Sequence, residues 1–120
     1  MSILIVDDDE GVQQFLADVL ATHGYVVEQA RDGREALALL QHGSRPSLIL
    51  LDLAMPNMDG LELARRLAAD EQLAQLPVVL VSARPNLERT AHEIGAADFL
   101  EKPMSFSALL RIVAELGLHH

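Results

Sequence analysis

Residues 47–60 have the sequence Ser47-Leu-Ile-Leu-Leu-Asp52-Leu-Ala-Met-Pro56-Asn-Met-Asp-Gly60. The apolar residues 48–51 form a short run without alternation, which is typical of a strand buried on both faces of a parallel sheet. A buried helix gives the same pattern, but the shortness of the run and the flanking Pro46 and Pro56 favour a strand. The run ends in a carboxylate, Asp52. Because open α/β sheets bind ligands at the carboxyl ends of their strands, we expect Asp52 to lie in a functional site.

The composition predicts one acidic globular domain over residues 1–120. Half of the residues are hydrophobic, and the formal net charge is −9, which argues against direct nucleic-acid binding because that function needs a basic surface. The chain has no cysteine, which fits a cytoplasmic location. We expect no membrane partner, because no apolar run reaches ~18 residues and the N-terminus lacks signal-peptide features. His119 and His120 fit a tag remnant as well as native sequence.

Strand patterns alternate with helix patterns five times along the chain. The predicted strands cover residues 3–6, 25–30, 48–51, 78–81 and 97–100. The predicted helices follow an N-cap at Asp9, cover residues 35–42 and 61–70, run from an N-cap at Asn86 to Gly95, and follow an N-cap at Ser105. In the first helix the predicted apolar stripe consists of Val12, Phe15, Leu16, Val19 and Leu20.

This alternation predicts an α/β fold with a doubly wound, five-stranded parallel sheet and helices on both faces. For five strands the flavodoxin-like (βα)5 order 2-1-3-4-5 is expected. Strands one and three then lie side by side, which brings Asp7 and Asp8 next to Asp52.

Three carboxylates at one sheet edge repel each other. At ~5 Å and an effective dielectric of ~20, each pair costs about 3 kcal/mol, so three pairs approach the stability of a whole domain. A cation, protonation or a positive side chain must relieve this repulsion. Oxygen-only ligands suit Mg²⁺, with Mn²⁺ as an alternative. Lys102, after the fifth strand, is expected at the same edge.

These residues suggest phosphoryl chemistry. With Mg²⁺ bound, Asp52 is a candidate nucleophile toward phosphorus. The metal and Lys102 would neutralise the oxygens of the transferring group. Ser82, after the fourth strand, would supply a hydroxyl to the same group.

Four motifs in this order resemble the receiver domain of bacterial two-component response regulators. They are Ile5-Val6-Asp7-Asp8, Leu50-Leu51-Asp52-Leu53-x-Met55-Pro56-x-Met58-Asp59-Gly60, Val81-Ser82-Ala83 and Glu101-Lys102-Pro103. The likeness extends from Ile3 to about Leu116. It implies that Asp52 accepts a phosphoryl group from the phosphohistidine of a histidine kinase or histidine phosphotransfer protein. The chain would then be a signalling phosphoacceptor that catalyses its own phosphorylation and dephosphorylation, rather than an enzyme with a separate substrate.

The resemblance also implies the metal ligands. Asp7, Asp8 and Asp52 would hold Mg²⁺ together with the backbone carbonyl of Ala54, and Asp8 would be closer to the ion than Asp7. Lys102 would pair with the phosphate.

The switch implied by the resemblance uses Ser82 and Phe99. Ser82 would move to bond the phosphoryl group, and Phe99 would turn inward behind it, although a lone aromatic on a strand also fits plain core packing. The Lys102–Pro103 bond would be cis. The surface around the fourth helix, fifth strand and fifth helix would then change for an output domain, a downstream protein or a homodimer formed on phosphorylation.

Two positions depart from the usual pattern of the family. Ala54 lies two residues after Asp52, and Arg84 lies two residues after Ser82, where family members tune hydrolysis of the phosphoryl group. We expect that Ala54 leaves the attacking water unpositioned and that Arg84 shields or orients it.

Two other functions use parts of the same pattern. A Mg²⁺-dependent phosphatase with an aspartyl nucleophile usually carries a second acid two residues on, where this chain has Ala54. A phosphorylation-independent interaction module usually lacks one of the acids or the lysine, and here all of them are present.

Overall fold

The computed structural model describes residues 2–53, 60–83, 86–102 and 105–117. Within these described residues, five strands and five helices alternate along the chain, as predicted. The strands are β1 (Ser2–Val6), β2 (Val26–Ala30), β3 (Leu48–Asp52), β4 (Val78–Ser82) and β5 (Asp98–Glu101). The helices are α1 (Glu10–Thr22), α2 (Gly33–Gln41), α3 (Gly60–Ala69), α4 (Leu87–Ile94) and α5 (Phe106–Gly117).

The strands form one parallel sheet in the order β2-β1-β3-β4-β5, which confirms the predicted topology. Strand β3 lies at the centre, and all five of its residues are buried. That burial explains why its sequence is continuously apolar up to Asp52.

Alternate residues of each strand pack on opposite faces of the sheet. Leu4 and Val6 of β1 belong to a core cluster formed with α2, α3 and α4. Ile3 and Ile5 belong to a second cluster formed with α1 and α5. The sheet is therefore covered on both faces, as expected for a doubly wound fold. Among the described residues, no helix is long and apolar enough to cross a lipid bilayer.

Two of the three predicted N-caps form. The side chain of Asp9 accepts a hydrogen bond from the Val12 amide at 3.1 Å, and the Ser105 hydroxyl accepts one from the Ala108 amide at 3.1 Å. The prediction for Asn86 is wrong. Its backbone is left-handed (φ 59°) and its side chain makes no capping bond, because a capping side chain reaches the first-turn amides from an extended backbone.

Helix α2 begins two residues earlier than predicted. The apolar pattern predicted a helix from residue 35, but Asp32 is the N-cap, and its carboxylate accepts a hydrogen bond from the Glu35 amide at 2.9 Å. The cap stabilises a first turn that the apolar periodicity alone did not show.

The apolar stripe of α1 differs from the prediction at one position. Phe15 is 51% exposed and packs against the ring of Phe106, at a centroid distance of 4.9 Å. Gln13 is buried instead, because it projects from the same side of the helix as Leu16 and Leu20, three and seven residues further on.

Candidate functional site

The register of the sheet brings the predicted acids together. Val6 of β1 pairs with Leu51 of β3, so the next residues along the two strands, Asp7 and Asp52, leave the sheet side by side. Three carboxylate oxygens, one each from Asp7, Asp8 and Asp52, lie within 4.8 Å of one another. Asp7 and Asp52 are buried and Asp8 is exposed, so the cluster forms a pocket with one carboxylate at its solvent rim.

Lys102 reaches the same pocket from β5. Its Nζ lies 3.5 Å from Oδ2 of Asp7 and 3.7 Å from Oδ2 of Asp52, and its side chain is 29% exposed. The Lys102 amide donates to the carbonyl of Ser82 at 2.9 Å, which ties the end of β5 to the end of β4. Among the described residues, the Lys102 ammonium therefore offsets part of the formal charge of the three carboxylates.

Asp7 is held by its own backbone and by its neighbours. Its amide donates to the Ala30 carbonyl at 3.1 Å, and its Oδ1 accepts from the Asp9 amide at 2.9 Å. Its carbonyl accepts from Nε2 of Gln13 at 3.0 Å. Sequence reasoning did not assign a role to Gln13, although a polar residue on the core-facing side of an apolar stripe was a signal that could have identified it.

The backbone at Asp52 is contacted directly by Gly60, the first residue of α3. The Gly60 amide donates to the Leu53 carbonyl at 3.0 Å. A Cβ atom on Gly60 would lie 2.7 Å from Cα of Leu53 and closer still to the carbonyl oxygen of Asp52. Only a residue without a side chain fits here. The sequence analysis placed the third helix from residue 61 and did not identify this requirement.

Ser82 and Phe99 lie on the neighbouring strands. Ser82 is 3% exposed at the end of β4 and pairs in register with Glu101 of β5. Phe99 is half-buried and packs against the core cluster on the α2–α4 face. The position of Phe99 fits both core packing and a switch, so its switch role stays a prediction.

Several predicted features lie outside the described residues. Ala54, which was assigned a metal-binding carbonyl and a role in dephosphorylation, is one of them. Arg84 and the Lys102–Pro103 peptide bond are others. The predictions for these residues therefore stay predictions.

The donor set fits a hard divalent cation. All three candidate ligands are carboxylates, and oxygen-only sites suit Mg²⁺, Ca²⁺ or Mn²⁺. The exposed position of Asp8 leaves one side of the pocket open to water, and Mg²⁺ usually keeps several water ligands. Asp7, Asp8 and Asp52 are thus the residues that would hold such an ion.

The fold and the pocket together define a class: doubly wound α/β domains with acids and a lysine at the point where the strand order reverses. The family model for the response regulator receiver domain matches residues 3–114. The chain belongs to this family and is a receiver domain of a two-component system.

Curated relatives and solved structures agree with this assignment. The response regulator MprA of Mycolicibacterium vanbaalenii is 44% identical over 110 residues, covering 90% of this chain and 46% of the relative. MprA of Mycobacterium leprae is 41% identical over 118 residues, covering 97% of this chain and 50% of the relative. The chain therefore spans about half the length of these relatives.

Two solved structures show the same fold along their whole length. The chemotaxis protein CheY4 of Vibrio cholerae superimposes with a TM-score of 0.86 at 32% identity, covering 96% of this chain and 97% of that chain. A putative response regulator from Chloroflexus aurantiacus gives a TM-score of 0.88 at 32% identity, covering 96% and 95%. Phosphoryl acceptance is the general role of this family.

Proposed function

We propose that Asp52 accepts a phosphoryl group, in a Mg²⁺-dependent reaction, from the phosphohistidine of a histidine kinase or histidine phosphotransfer protein. One observation carries the proposal: three carboxylates converge at the edge of the sheet, and the Lys102 ammonium lies within 3.7 Å of two of them. A cytoplasmic location, where such a donor would meet the chain, belongs to the same proposal.

The reaction exchanges one bond to phosphorus for another. A carboxylate oxygen of Asp52 attacks phosphorus, and the bond from phosphorus to the imidazole nitrogen of the donor breaks. The nitrogen keeps the bonding electron pair and takes up a proton from solvent, which leaves a neutral histidine and an acyl phosphate on Asp52. Lys102 pairs with an oxygen of the transferring group.

The remaining acids prepare the pocket for this step. Asp7 and Asp8 would hold Mg²⁺ with Asp52, and Ala54 would contribute its backbone carbonyl. When bound, Mg²⁺ supplies positive charge for the phosphoryl oxygens as their charge develops. Water later hydrolyses the acyl phosphate, and Ala54 and Arg84 set the rate of that hydrolysis.

The phosphoryl group then acts as a switch. It adds roughly 1.5 to 2 negative charges and new acceptor oxygens beside Ser82 and Lys102. Contacts made in only one conformation shift a two-state element, and moving the active fraction from 1% to 99% needs about 5.5 kcal/mol of differential stabilisation. Two positions support this proposal: Ser82 is buried at the end of β4, and Phe99 packs against a core cluster that includes residues of α4. The α4–β5–α5 surface would contact an output domain, a downstream protein or a second copy of the chain.

The Phe15–Phe106 pair supports a docking surface for the phosphodonor. The two rings are 51% and 48% exposed, and exposed aromatic clusters are typical of protein–protein contacts. Helix α1 starts at the edge of the sheet that carries Asp52, and Phe15 lies about 8 Å along it. We assign this surface to the histidine-bearing partner because that partner must approach Asp52 from the same edge.

The test is intact-mass analysis after incubation with acetyl phosphate and Mg²⁺. We expect the native chain to gain one phosphoryl group, and we expect no gain for Asp52→Asn or after chelation of Mg²⁺. Asp18→Asn, which removes an exposed acid of α1 outside the pocket, should be labelled like the native chain. Equal labelling of Asp52→Asn would refute the assignment of the acceptor.

The same assay separates the other two functions. Sustained turnover of a generic phosphate ester, with no stable labelling of Asp52, would indicate a phosphatase. Absence of labelling in a folded chain that still binds a partner would indicate a phosphorylation-independent interaction module.

A further inference from the structure

Gln13 is a buried polar residue that the proposed phosphotransfer does not use. It lies on the core-facing side of α1 and is 6% exposed. Its Nε2 lies 3.1 Å from the carbonyl oxygen of Ile5, 3.0 Å from that of Asp7 and 2.6 Å from that of Ala30. The side chain therefore joins the ends of β1 and β2 at the point where the acids leave the sheet.

Packing alone does not explain an amide at this position. The Nε2 group has two hydrogens for three acceptors, so at least one hydrogen is shared. The Oε1 atom is buried and has no hydrogen-bond partner in the part of the chain that the structure describes. A buried polar atom without a partner destabilises the fold, and an apolar side chain of the same size would avoid that cost. The amide must therefore contribute something other than volume.

The contact with Asp7 indicates what the amide contributes. The carbonyl of Asp7 belongs to the peptide unit that joins Asp7 to Asp8, so Gln13 holds that unit by one end. The next amide along the chain, that of Asp9, donates to the Asp7 carboxylate at 2.9 Å. Rotation about the Cα–C bond of Asp7 would break the first bond and move the Asp8 carboxylate relative to those of Asp7 and Asp52.

We propose that Gln13 is a positioning residue of the metal site. By fixing the Asp7–Asp8 peptide, it sets the spacing at which the two carboxylates meet Asp52, and so determines the affinity for Mg²⁺. This inference rests on the proposed function. Residues that orient metal ligands typically change metal affinity by about 10- to 100-fold when they are replaced.

The test uses Gln13→Met, which keeps the length of the side chain and removes its donors. We expect calorimetry to show a dissociation constant for Mg²⁺ that is about tenfold higher. The Mg²⁺ concentration for half-maximal labelling by acetyl phosphate should rise by the same factor. The labelling rate at saturating Mg²⁺ should stay within about twofold of native, because the attacking carboxylate is unchanged.

Leu16→Ala is the matched control. Leu16 is a buried residue of the same helix, three positions further on, and it packs in the apolar cluster of α1 and α5. Its truncation should lower the melting temperature through the cavity it leaves, and the dissociation constant for Mg²⁺ should not change.

Four results would contradict the inference or the proposed function. A native dissociation constant in Gln13→Met, or an equal loss of affinity in Leu16→Ala, would overturn the inference. If Gln13→Met does not fold, Gln13→Asn serves instead, because its side chain is one methylene too short for the amide to reach all three carbonyls. Gln13→Asn should raise the dissociation constant for Mg²⁺ at least about threefold. Native affinity in this variant would again overturn the inference. If the native chain neither binds Mg²⁺ nor is labelled, the proposed function itself fails.

Discussion

Replacing Asp8 by Asn should stabilise the metal-free domain. Asp8 contributes two of the three carboxylate pairs in the pocket, and one of its oxygens lies within 4.8 Å of an oxygen of Asp7 and of an oxygen of Asp52. The Lys102 ammonium pairs with Asp7 and Asp52, so the substitution removes repulsion and leaves those two ion pairs in place.

The size of this stabilisation follows from the distances between the carboxylates and from the exposure of Asp8. Asp8 is exposed, so an effective dielectric of ~60, between the values for a protein surface and for water, is appropriate. Each pair then costs about 1 kcal/mol, and Asp8→Asn should raise the free energy of unfolding by about 2 kcal/mol. For a chain of 120 residues this corresponds to a melting temperature higher by about 8 °C.

Saturating Mg²⁺ should reverse this order of stability. An ion present at 100 times its dissociation constant stabilises the native chain by about 2.7 kcal/mol. The variant has lost one of three carboxylate ligands and should gain much less. We therefore expect Asp8→Asn to be more stable than the native chain in the presence of a chelator and less stable than the native chain in saturating Mg²⁺.

Urea unfolding monitored by circular dichroism gives the free energy of unfolding of each protein in chelator and in saturating Mg²⁺. Asp9→Asn is the control, because it removes one adjacent negative charge from outside the cluster and asparagine still caps α1. The free energy of unfolding of Asp9→Asn should differ from that of the native chain by less than about 1 kcal/mol, and by the same amount in chelator as in saturating Mg²⁺. High salt should shrink the gain of Asp8→Asn, because the Debye length falls to about 3 Å at 1 M. Equal stability of Asp8→Asn and native chain in the chelator at low salt would refute the electrostatic argument.

Three further substitutions test other parts of the site. Gly60→Ala should destabilise the domain by about 2 kcal/mol and slow labelling of Asp52, because the new methyl group would collide with the backbone of Asp52 and Leu53. Urea unfolding measures the first effect and intact mass the second. Lys102→Met should bind Mg²⁺ about tenfold more tightly in calorimetry, because a competing cation is gone, yet it should accept the phosphoryl group more slowly. Weaker Mg²⁺ binding in this variant would contradict the prediction. Phe15→Ser should slow transfer from a histidine kinase at least about tenfold and leave labelling by acetyl phosphate unchanged, because only the protein donor needs the exposed surface formed with Phe106. Equal slowing with both donors would rule out a docking role.

The topology and the location of the site could be predicted from local sequence. Short strands alternating with amphipathic helices allow few arrangements, because the apolar central strands must bury both faces. Asp7 and Asp52 each end such a run, so any parallel pairing of β1 with β3 brings them to one edge of the sheet. The family motifs then added the expected role of Lys102.

The tertiary structure decided which side chains support those acids. Gln13 is polar in sequence, yet its position three and seven residues before Leu16 and Leu20 turns it toward three carbonyls that come from two separate strands. Asn86 is a favourable capping residue by type, but its left-handed backbone prevents the cap.

The same distinction explains Phe15 and Gly60. The exposure of Phe15 depends on the partner ring of Phe106, which is 91 positions away in the chain. The requirement for glycine at residue 60 arises because the start of α3 lies against the backbone of Asp52. Sequence by itself determined the strands, the helices and the acids at the strand ends, because those depend on periodicity and neighbours. Only the tertiary structure decided which carbonyls Gln13 contacts, the exposure of Phe15 and the contact at Gly60, because each depends on atoms that folding brings together from distant parts of the chain.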